Sequence, residues 1–437
     1  MNKKIVAGID IGTTKITVVI ASTGEEGLVN VLGVSTVGSR GIRKGQIVDI
    51  EEATSAIVES LEAAERMAGY SISSAFICVG GAHIMSQNSH GVVAVAEPHK
   101  EINSDDVNRA IEAAKALSLP STREVLHVLP REFIVDSQDG IKDPVGMTGV
   151  RLEVNTHIIT TGSTAVRNLE KCASLVGIDV DGFVFGGLAS ATAVLTETEK
   201  ELGVILVDIG GGTTDVCMYV EGALSHSSVL PVGARNITND LAIGLRISLE
   251  SAEKIKLLLN KKEQELNLPL EKAVVSDRKG KEKTDSADDI DLTELHLPEG
   301  LTKVSKKTLI EGIIRPRLNE IFTMIGLEIK RSGYGGLTPA GIVITGGGAE
   351  TKGIVETSKR NLAMQTRVGI PTNISGLIDE IQSSSFAAAV GLVLYASKTK
   401  ILSKETFSMD KLSKFAGKFP FKNAGGKVIE LIKSFLP

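Results

Sequence analysis

Hydrophobic and polar residues alternate along this chain with two periods, which predict a regular succession of strands and helices. Apolar runs rich in valine and isoleucine at 5–7 and 204–207 predict buried strands. Each run precedes an alternating stretch, at 15–20 and at 216–220, that predicts a second strand. Helical spacing follows at 51–68. The pattern therefore predicts an α/β protein in which strands and helices interleave.

The segment 84–161 has its own strands and helix, so we expect it to be an insertion. Its helix is predicted to begin at Ser104, because a serine side chain at an N-cap accepts a backbone hydrogen bond. One face of this helix is apolar, with residues that include Val107, Ala110 and Ile111.

Composition limits the class of protein without identifying it. The 437 residues predict two or more domains, and a hydrophobic fraction of 42% with 3% aromatics and no tryptophan implies a core of aliphatic side chains. A net charge of −5 argues against a general nucleic-acid surface. Cys78, Cys172 and Cys217 lie far apart, so no disulfide or metal spacing is evident and a reducing cytoplasm is expected.

One motif occurs twice, each time where a predicted strand ends. Residues 10–14 read Asp-Ile-Gly-Thr-Thr, and residues 208–215 read Asp-Ile-Gly-Gly-Gly-Thr-Thr-Asp. Glycines allow a tight turn and a close backbone approach, and the free N–H groups of such a turn bind anions. An aspartate beside the turn would hold a hydrated Mg²⁺ that bridges to phosphate. Either motif alone is consistent with an ordinary hairpin, but the matched pair predicts a phosphate clamp.

A third glycine run follows the apolar strand predicted at 342–345. It is Gly346, Gly347 and Gly348, with Ala349 after them, and alone it also fits a plain connection between a strand and a helix. No Walker A loop accompanies any of these glycines, and no G-x-G-x-x-G fingerprint opens a helix after the first strand.

The three motifs in this order resemble the actin–Hsp70–sugar kinase superfamily and, within it, the FtsA family of bacterial cell-division proteins. The closer resemblance rests on 186–191, 231–238, 314–317 and 341–348. It implies an actin-like (ribonuclease H-like) two-lobed α/β ATPase fold with an FtsA-type inserted subdomain and an amphipathic C-terminal tail.

The resemblance also implies a division of the chain. The first lobe would comprise 1–83, 162–200 and 385–397, with 84–161 as the inserted subdomain. The second lobe would comprise 201–230 and 340–384. Its outer subdomain would be 231–339, including a charged loop at 261–305, and a basic linker at 398–426 would lead to a membrane-targeting helix at 427–437.

By the same resemblance, the cofactors are ATP and Mg²⁺. Asp10 and Asp208 would hold Mg²⁺ through water. The residues expected to bind ATP are Gly12, Thr13, Thr14, Lys15, Gly210, Gly211, Gly212, Thr213, Thr214, Asn236, Glu253, Lys256, Gly346, Gly347, Gly348 and Ala349. Glu253 and Lys256 also have the spacing of an ordinary helix-surface pair. Arg317 would contact the C-terminal tail of FtsZ, although a solvated helix charge would look the same in sequence.

The sequence departs from its superfamily just before the second motif. Actin and Hsp70 relatives place a Gln or Glu there to orient the attacking water, whereas 185–189 reads Phe-Gly-Gly-Leu-Ala. Loss of a positioned base costs about 10²–10⁴-fold in rate. We therefore expect slow hydrolysis at most, and no catalytic residue is assigned.

Residues 398–437 differ from the rest of the chain in charge. They hold nine lysines and three acidic residues, a net charge of +6, which leaves −11 for the remainder. The last eleven residues place Val428, Ile429, Leu431, Ile432, Phe435 and Leu436 on one helical face, with Lys427, Glu430, Lys433 and Ser434 opposite. A basic amphipathic end predicts an interfacial membrane helix, and the alternative is a helix that docks on the body of the protein or on a partner.

The predicted function is an ATP-binding, actin-like cell-division protein that polymerises and tethers FtsZ filaments to the membrane. Its partners would be the FtsZ tail, further copies of itself, anionic lipid and other division proteins, but no nucleic acid. It would lie at the cytoplasmic face of the membrane, at the division site. The alternative is an ATP-dependent small-molecule kinase of the same superfamily, for which 84–161 offers no clear catalytic carboxylate.

Overall fold

The computed structural model describes residues 4–24, 28–96, 101–266 and 288–406. The strands are β1 Lys4–Ile11, β2 Lys15–Thr23, β3 Val29–Gly38, β4 Ile42–Arg43, β5 Gln46–Ile47, β6 Ser74–Val79, β7 Met85–Ala94, β8 Arg123–Val135, β9 Gln138–Ile141, β10 Arg151–Gly162, β11 Asp179–Phe185, β12 Val204–Ile209, β13 Thr214–Val220, β14 Ala223–Leu230, β15 Asp289–Asp291, β16 Lys303–Ser305, β17 Ile342–Thr345, β18 Thr366–Val368 and β19 Ile374–Gly376. The helices are α1 Ile50–Ala68, α2 Ser104–Lys115, α3 Ser163–Leu175, α4 Gly186–Val194, α5 Glu197–Leu202, α6 Ala234–Leu245, α7 Leu249–Leu266, α8 Arg315–Ser332, α9 Ile354–Leu362, α10 Ile378–Ile381 and α11 Ala387–Thr406.

The first lobe is a six-stranded sheet in the order β11-β6-β1-β2-β3-β19. Its central strands carry apolar side chains on both faces because helices cover both faces of the sheet. Ile16 and Val18 of β2 belong to the core cluster that includes α1, whereas Val19 of the same strand belongs to the cluster that includes α4 and α11. The β1 and β2 strands pair antiparallel from Lys4 opposite Thr23 to Ile11 opposite Ile16, so the turn between them comprises residues 12–14.

The second lobe repeats this plan with a five-stranded sheet in the order β14-β13-β12-β17-β18. Strands β12 and β13 pair antiparallel, as β1 and β2 do, and their turn is formed by residues 210–213. A second core cluster joins this sheet to α6, α7 and α8 through side chains such as Ile205, Ile237 and Phe322. The two lobes therefore present equivalent hairpins at the carboxyl ends of their central strands.

The inserted subdomain is a four-stranded sheet in the order β7-β10-β8-β9, with α2 on it. Gly91 of β7 lies so close to α2 that a Cβ atom there would stand 2.2 Å from the Ala110 carbonyl oxygen. The N-cap of α2 is Asn103 rather than the predicted Ser104, because the Asn103 side chain accepts from the backbone N–H of Asp105 and Asp106. The subdomain also contacts the second lobe, where Ser86 Oγ donates to the Ser227 carbonyl at 2.6 Å.

Two predicted boundaries need correction. Strand β19 pairs with β3 in the first lobe, so part of 340–384 leaves the second lobe earlier than expected. The predicted charged loop at 261–305 contains the end of α7 and the paired strands β15 and β16. Three-residue strands are too short to produce a periodic hydrophobic pattern, which is why the sequence did not reveal them.

Within the described ranges, the helices are all too short or too polar to cross a bilayer. Helix α11 ends at Thr406, and the predicted membrane helix at 427–437 lies outside the described residues.

Candidate functional site

The two Gly-Thr hairpins abut each other at the junction of the lobes. In the first, Gly12 N donates to the Lys15 carbonyl at 3.0 Å, and in the second, Gly210 N donates to the Thr213 carbonyl at 2.9 Å. A Cβ atom on Gly211 would stand 2.3 Å from Thr14 Cγ2. Only glycine allows the second hairpin to approach the first this closely.

The third glycine run meets the second hairpin from the side. Strands β12 and β17 are parallel neighbours, with Asp208 opposite Thr345, so their carboxyl ends open at the same edge. Gly346 has φ = 82°, and a Cβ atom there would stand 2.2 Å from Asp208 Oδ1. Position 346 therefore requires glycine, both because its φ is positive and because there is no room for a Cβ atom beside the aspartate.

Helix α6 begins directly on the second hairpin. The N–H groups of Ala234 and Arg235 donate to the carbonyls of Gly210 and Gly211 at 2.9 and 2.8 Å. A movement of this hairpin would therefore be transmitted to α6 and to the outer part of the second lobe.

A cleft of about 330 Å³ lies between the lobes at this point. It brings together most of the residues that the sequence predicted for ATP and Mg²⁺, namely Asp10, Gly12, Thr13, Thr14, Lys15, Asp208, Gly210, Gly211, Thr213, Glu253, Lys256, Gly346, Gly347 and Gly348. Residues separated by more than three hundred positions thus share one cavity.

Four predicted residues do not line this cleft. Thr214 is buried and donates to the Val232 carbonyl at 2.8 Å, and Ala349 is buried in the core of the second lobe. Asn236 Oδ1 accepts from Gly233 N at 3.1 Å and so caps α6. Asn236 and Gly212 line a neighbouring cavity.

The cleft contains more negative charge than its own cations neutralise. Burial raises the pKa of the Asp10 carboxyl, although nearby Lys15 opposes the rise. Burial, with nearby Asp10 adding to it, raises the pKa of Asp208 to about 6 even though Ser190 donates to this carboxylate. Burial and the charge of Asp208 raise the pKa of Asp215 well above its usual value. The cleft therefore favours an added cation, which would stabilise the ionised form of all three carboxyl groups.

Mg²⁺ would satisfy this need. Among the described residues, no three His, Cys, Asp or Glu side chains converge as direct ligands for a metal ion. The hard oxygen donors Asp10 and Asp208 nevertheless suit Mg²⁺, which retains several of its waters. The donor set therefore fits a hydrated Mg²⁺ between these carboxylates and a phosphate.

Asp215 lines the cleft and was not predicted from the sequence, although it ends the second motif. It lies opposite Asp208 across β12 and β13. Its Oδ1 is buried and has no hydrogen-bond partner in the described part of the chain. Cys78, Arg235, Asn260 and Ser385 also line the cleft, and no motif had marked them.

Glu253 and Lys256 form an ion pair in which the lysine is buried and the glutamate side chain is 44% exposed. Lys256 Nζ donates to Glu253 Oε2 at 2.7 Å and to Thr238 Oγ1 at 2.8 Å, and Lys256 is 7% exposed. Both residues lie on the cleft side of α7. The alternative of a simple surface pair is therefore disfavoured, since a buried lysine needs such partners.

The segment 185–189, which has no polar side chain, spans the end of β11 and the beginning of α4. Gly186, its first helical residue, lines the cleft, and a Cβ atom there would stand 2.9 Å from Asp215 Oδ2. A glutamine or glutamate at this position would displace the carboxylate.

Arg317 lies away from the cleft, in the first turn of α8. Its guanidinium donates to Asp240 with both Nε and Nη2, at 2.6 and 2.8 Å, and also contacts Glu320. Its side chain is 23% exposed. The Arg317 side chain is thus fixed by its two acidic partners and partly exposed, rather than freely solvated.

Comparison with known proteins agrees with this architecture. A family model for the SHS2 domain inserted in FtsA matches residues 81–160, and a model for cell division protein FtsA matches residues 205–391. The cell division protein FtsA of Pseudomonas aeruginosa is 39% identical over 392 residues, which are 90% of this chain and 89% of the relative.

Two solved structures share the fold. A chain of the PilM-PilN type IV pilus biogenesis complex superposes with a TM-score of 0.63 at 14% identity, covering 91% of this chain and 99% of that one. MreB 5 of Spiroplasma citri, bound to AMPPNP, gives a TM-score of 0.51 at 11% identity, covering 93% and 100%. The actin-like two-lobed fold with an FtsA-type insertion is thereby confirmed.

Proposed function

Because this chain belongs to the FtsA family of cell division proteins, we propose that it is an ATP-binding, actin-like protein that polymerises and tethers FtsZ filaments to the cytoplasmic face of the membrane. The observation that carries this proposal is the junction of two Gly-Thr hairpins, one from each lobe, around Asp10 and Asp208. A nucleotide bound there would touch both lobes and fix the angle between them. The nucleotide analogue in MreB 5 of Spiroplasma citri supports the same use of the fold.

ATP would serve mainly as a conformational ligand. The hairpin N–H groups would bind its phosphates, Lys15 would add positive charge, and Asp10 and Asp208 would hold Mg²⁺ through water. The ion would neutralise charge on the phosphates. Burial lowers the pKa of Lys15, but Asp10, Glu350 and Asp208 surround the amine and favour its protonated form. Since 185–189 places no base beside the phosphates, we propose that turnover is slow.

The experiment that tests the whole proposal is sedimentation of the full chain with and without ATP, anionic vesicles and a peptide of the FtsZ tail. We expect ATP to increase the pelleted fraction, vesicles to increase it further, and the peptide to pellet with the protein. Sedimentation that ignores ATP would contradict the nucleotide switch, and a peptide left in the supernatant would contradict the FtsZ tether.

The C-terminal segment would provide the membrane anchor. Six apolar side chains at 428–436 would gain about 1 kcal/mol each when half buried, and each lysine near anionic lipid about 1 kcal/mol more. Ordering the helix and immobilising the protein take back several kcal/mol. One copy would therefore bind marginally, whereas a filament would bind far more tightly through effective concentration.

Leu431→Glu should reduce co-sedimentation with anionic vesicles by at least about tenfold, because it places a charge in the centre of the apolar face. Ser434→Glu is the matched control, since it adds the same charge to the polar face and should cost only a few-fold. Equal retention of Leu431→Glu and the unchanged protein on the vesicles would show that this helix is not the anchor.

Arg317→Ala should weaken binding of the FtsZ tail peptide by about tenfold or more, because a charge-assisted hydrogen bond to a carboxylate is lost. Fluorescence anisotropy of a labelled peptide measures this directly. Arg331→Ala is the control, since Arg331 lies on the same helix and its side chain is 76% exposed. If both variants bind the peptide equally well, Arg317 does not contact the tail.

A further inference from the structure

A second cavity adjoins the cleft beside the hairpins. It has a volume of about 460 Å³, and one of its walls is shared with the cleft through Thr13 and Arg235. The first lobe supplies the short hairpin of β4 and β5, and the second lobe supplies Gly212 and the beginning of α6. Whatever occupies this cavity touches both lobes.

Three cations line this cavity, and no acidic side chain in the described part of the chain forms an ion pair with any of them. Arg43, Lys44 and Arg235 are exposed, and the described residues offer none of the three side chains a hydrogen bond or an ion pair. Glu52 is the one acidic residue in the lining. Like charges that share a cavity repel one another, and low-dielectric walls strengthen that repulsion unless an anion joins them.

The structure holds the β4–β5 turn rigidly against the phosphate hairpin. Gly45 N donates to Thr13 Oγ1 at 3.0 Å, and a Cβ atom on Gly45 would stand 2.9 Å from the backbone of Gly80 and Gly81. Lys44 is kept at φ = 49°, a conformation that non-glycine residues rarely adopt. Lys44 is therefore presented to the cavity by a fixed turn rather than by a loose loop.

The wall of the cavity that the second lobe supplies is also fixed by hydrogen bonds and close packing. Arg235 follows Ala234 at the beginning of α6, and its backbone N–H donates to the Gly211 carbonyl at 2.8 Å. A Cβ atom on Gly212 would stand 2.9 Å from Thr13 Oγ1. Cations from both lobes thus line one cavity beside the hairpins.

We infer that Arg43, Lys44 and Arg235 form an oxyanion site for a single phosphate group, in a cavity beside the hairpin turns and shared between the lobes. The lining favours a tetrahedral oxyanion because it combines guanidinium and ammonium groups with the amides of Asn236 and Asn239. Two sources have this chemistry, namely free inorganic phosphate and the terminal phosphate of a bound triphosphate. A filled site would draw the lobes together.

The test is calorimetric titration of inorganic phosphate into the full chain, at constant ionic strength, with and without saturating ADP. We expect saturable binding that the double variant Arg43→Gln, Lys44→Gln weakens at least about tenfold, and neither of these residues lines the nucleotide cleft. The control is Arg246→Gln, Lys330→Gln, which removes two exposed positive charges outside both cavities. The arm without ADP tests the site even if the proposed nucleotide binding fails.

The second arm compares the affinities for ADP and a non-hydrolysable ATP analogue. If the terminal phosphate is the occupant, the double variant lowers the affinity for the analogue about tenfold and leaves ADP unchanged. If free phosphate is the occupant, the first arm shows its binding. The inference is overturned if neither arm responds, or if the control variant loses as much affinity as the double variant.

Discussion

Asp208→Asn should stabilise the nucleotide-free protein while abolishing its affinity for Mg·ATP. Burial and the charge of Asp10 raise the pKa of Asp208 to about 6, so the folded state pays to keep this carboxylate ionised at neutral pH. The unfolded value is near 3.9, and a difference of about two units corresponds to about 3 kcal/mol. Asparagine removes the charge and can still accept from Ser190 Oγ.

The direction of the pH dependence follows from this shift. The folded protein binds the Asp208 proton more tightly than the unfolded chain does, so no penalty exists below about pH 4. The penalty grows as the pH rises from about 4 to about 6 and is constant above that range. The difference in free energy of unfolding between Asp208→Asn and the unchanged protein should therefore increase over this interval.

Thermal unfolding of both proteins from pH 4 to pH 8, with and without Mg·ATP, measures these effects. Mg·ATP should raise the unfolding temperature of the unchanged protein and leave that of Asp208→Asn unmoved. Asp139→Asn is the control, since Asp139 is exposed on β9, away from the cleft. A less stable Asp208→Asn protein at neutral pH would refute the electrostatic account of the cleft.

Gly391→Ala should destabilise the protein by about 3 kcal/mol or more, or prevent it from folding. Gly391 lies where α11 crosses α4, and a Cβ atom there would stand 1.9 Å from the Ala189 carbonyl oxygen and 2.3 Å from its carbon. Alanine normally favours a helix by about 1 kcal/mol over glycine. The clash is with backbone, so it can be relieved only by moving one whole helix, and this cost dominates.

The same substitution should weaken nucleotide binding. Helix α4 carries Gly186 at the cleft and Ser190, which donates to Asp208, so a shift of α4 would disturb both. Gly312→Ala is the matched control, because no atom lies within 4 Å of the Cβ position at Gly312. An unfolding temperature within 1 °C of the unchanged protein would show that the helix crossing can adjust.

Much of the fold was predictable because its signals are local. The strands around both hairpins, the helix at 51–68 and the inserted subdomain follow from hydrophobic period and turn chemistry within short windows. The predicted N-cap at Ser104 was wrong by one residue because Asn103 is an equally good cap, and the choice depends on backbone geometry. Strand β19 was missed because its pairing with β3 joins residues more than three hundred positions apart.

The kinds of side chain in the candidate site were predictable, but the full set of residues that line it was not. The repeated motif indicated the aspartates, glycines and threonines because each copy contains its own turn. It could not tell that Asn236 and Gly212 line a second cavity or that Asp215 joins Asp208, since these depend on how two hairpins and α6 meet. Arg43 and Lys44 belong to a short turn that no motif marked.

The amino-acid sequence alone determined the fold class, the two Gly-Thr turns and the amphipathic pattern of the last residues, because periodicity, glycine freedom and side-chain charge are properties of neighbouring residues. Only the tertiary structure decided which charges share a cavity and which glycines are indispensable. The raised pKa of Asp208, the grouping of cations beside Thr13 and the contact of Gly391 with Ala189 all arise where elements far apart in the chain are packed together. Desolvation, charge repulsion and steric exclusion depend on distance in space, and separation along the chain does not determine that distance.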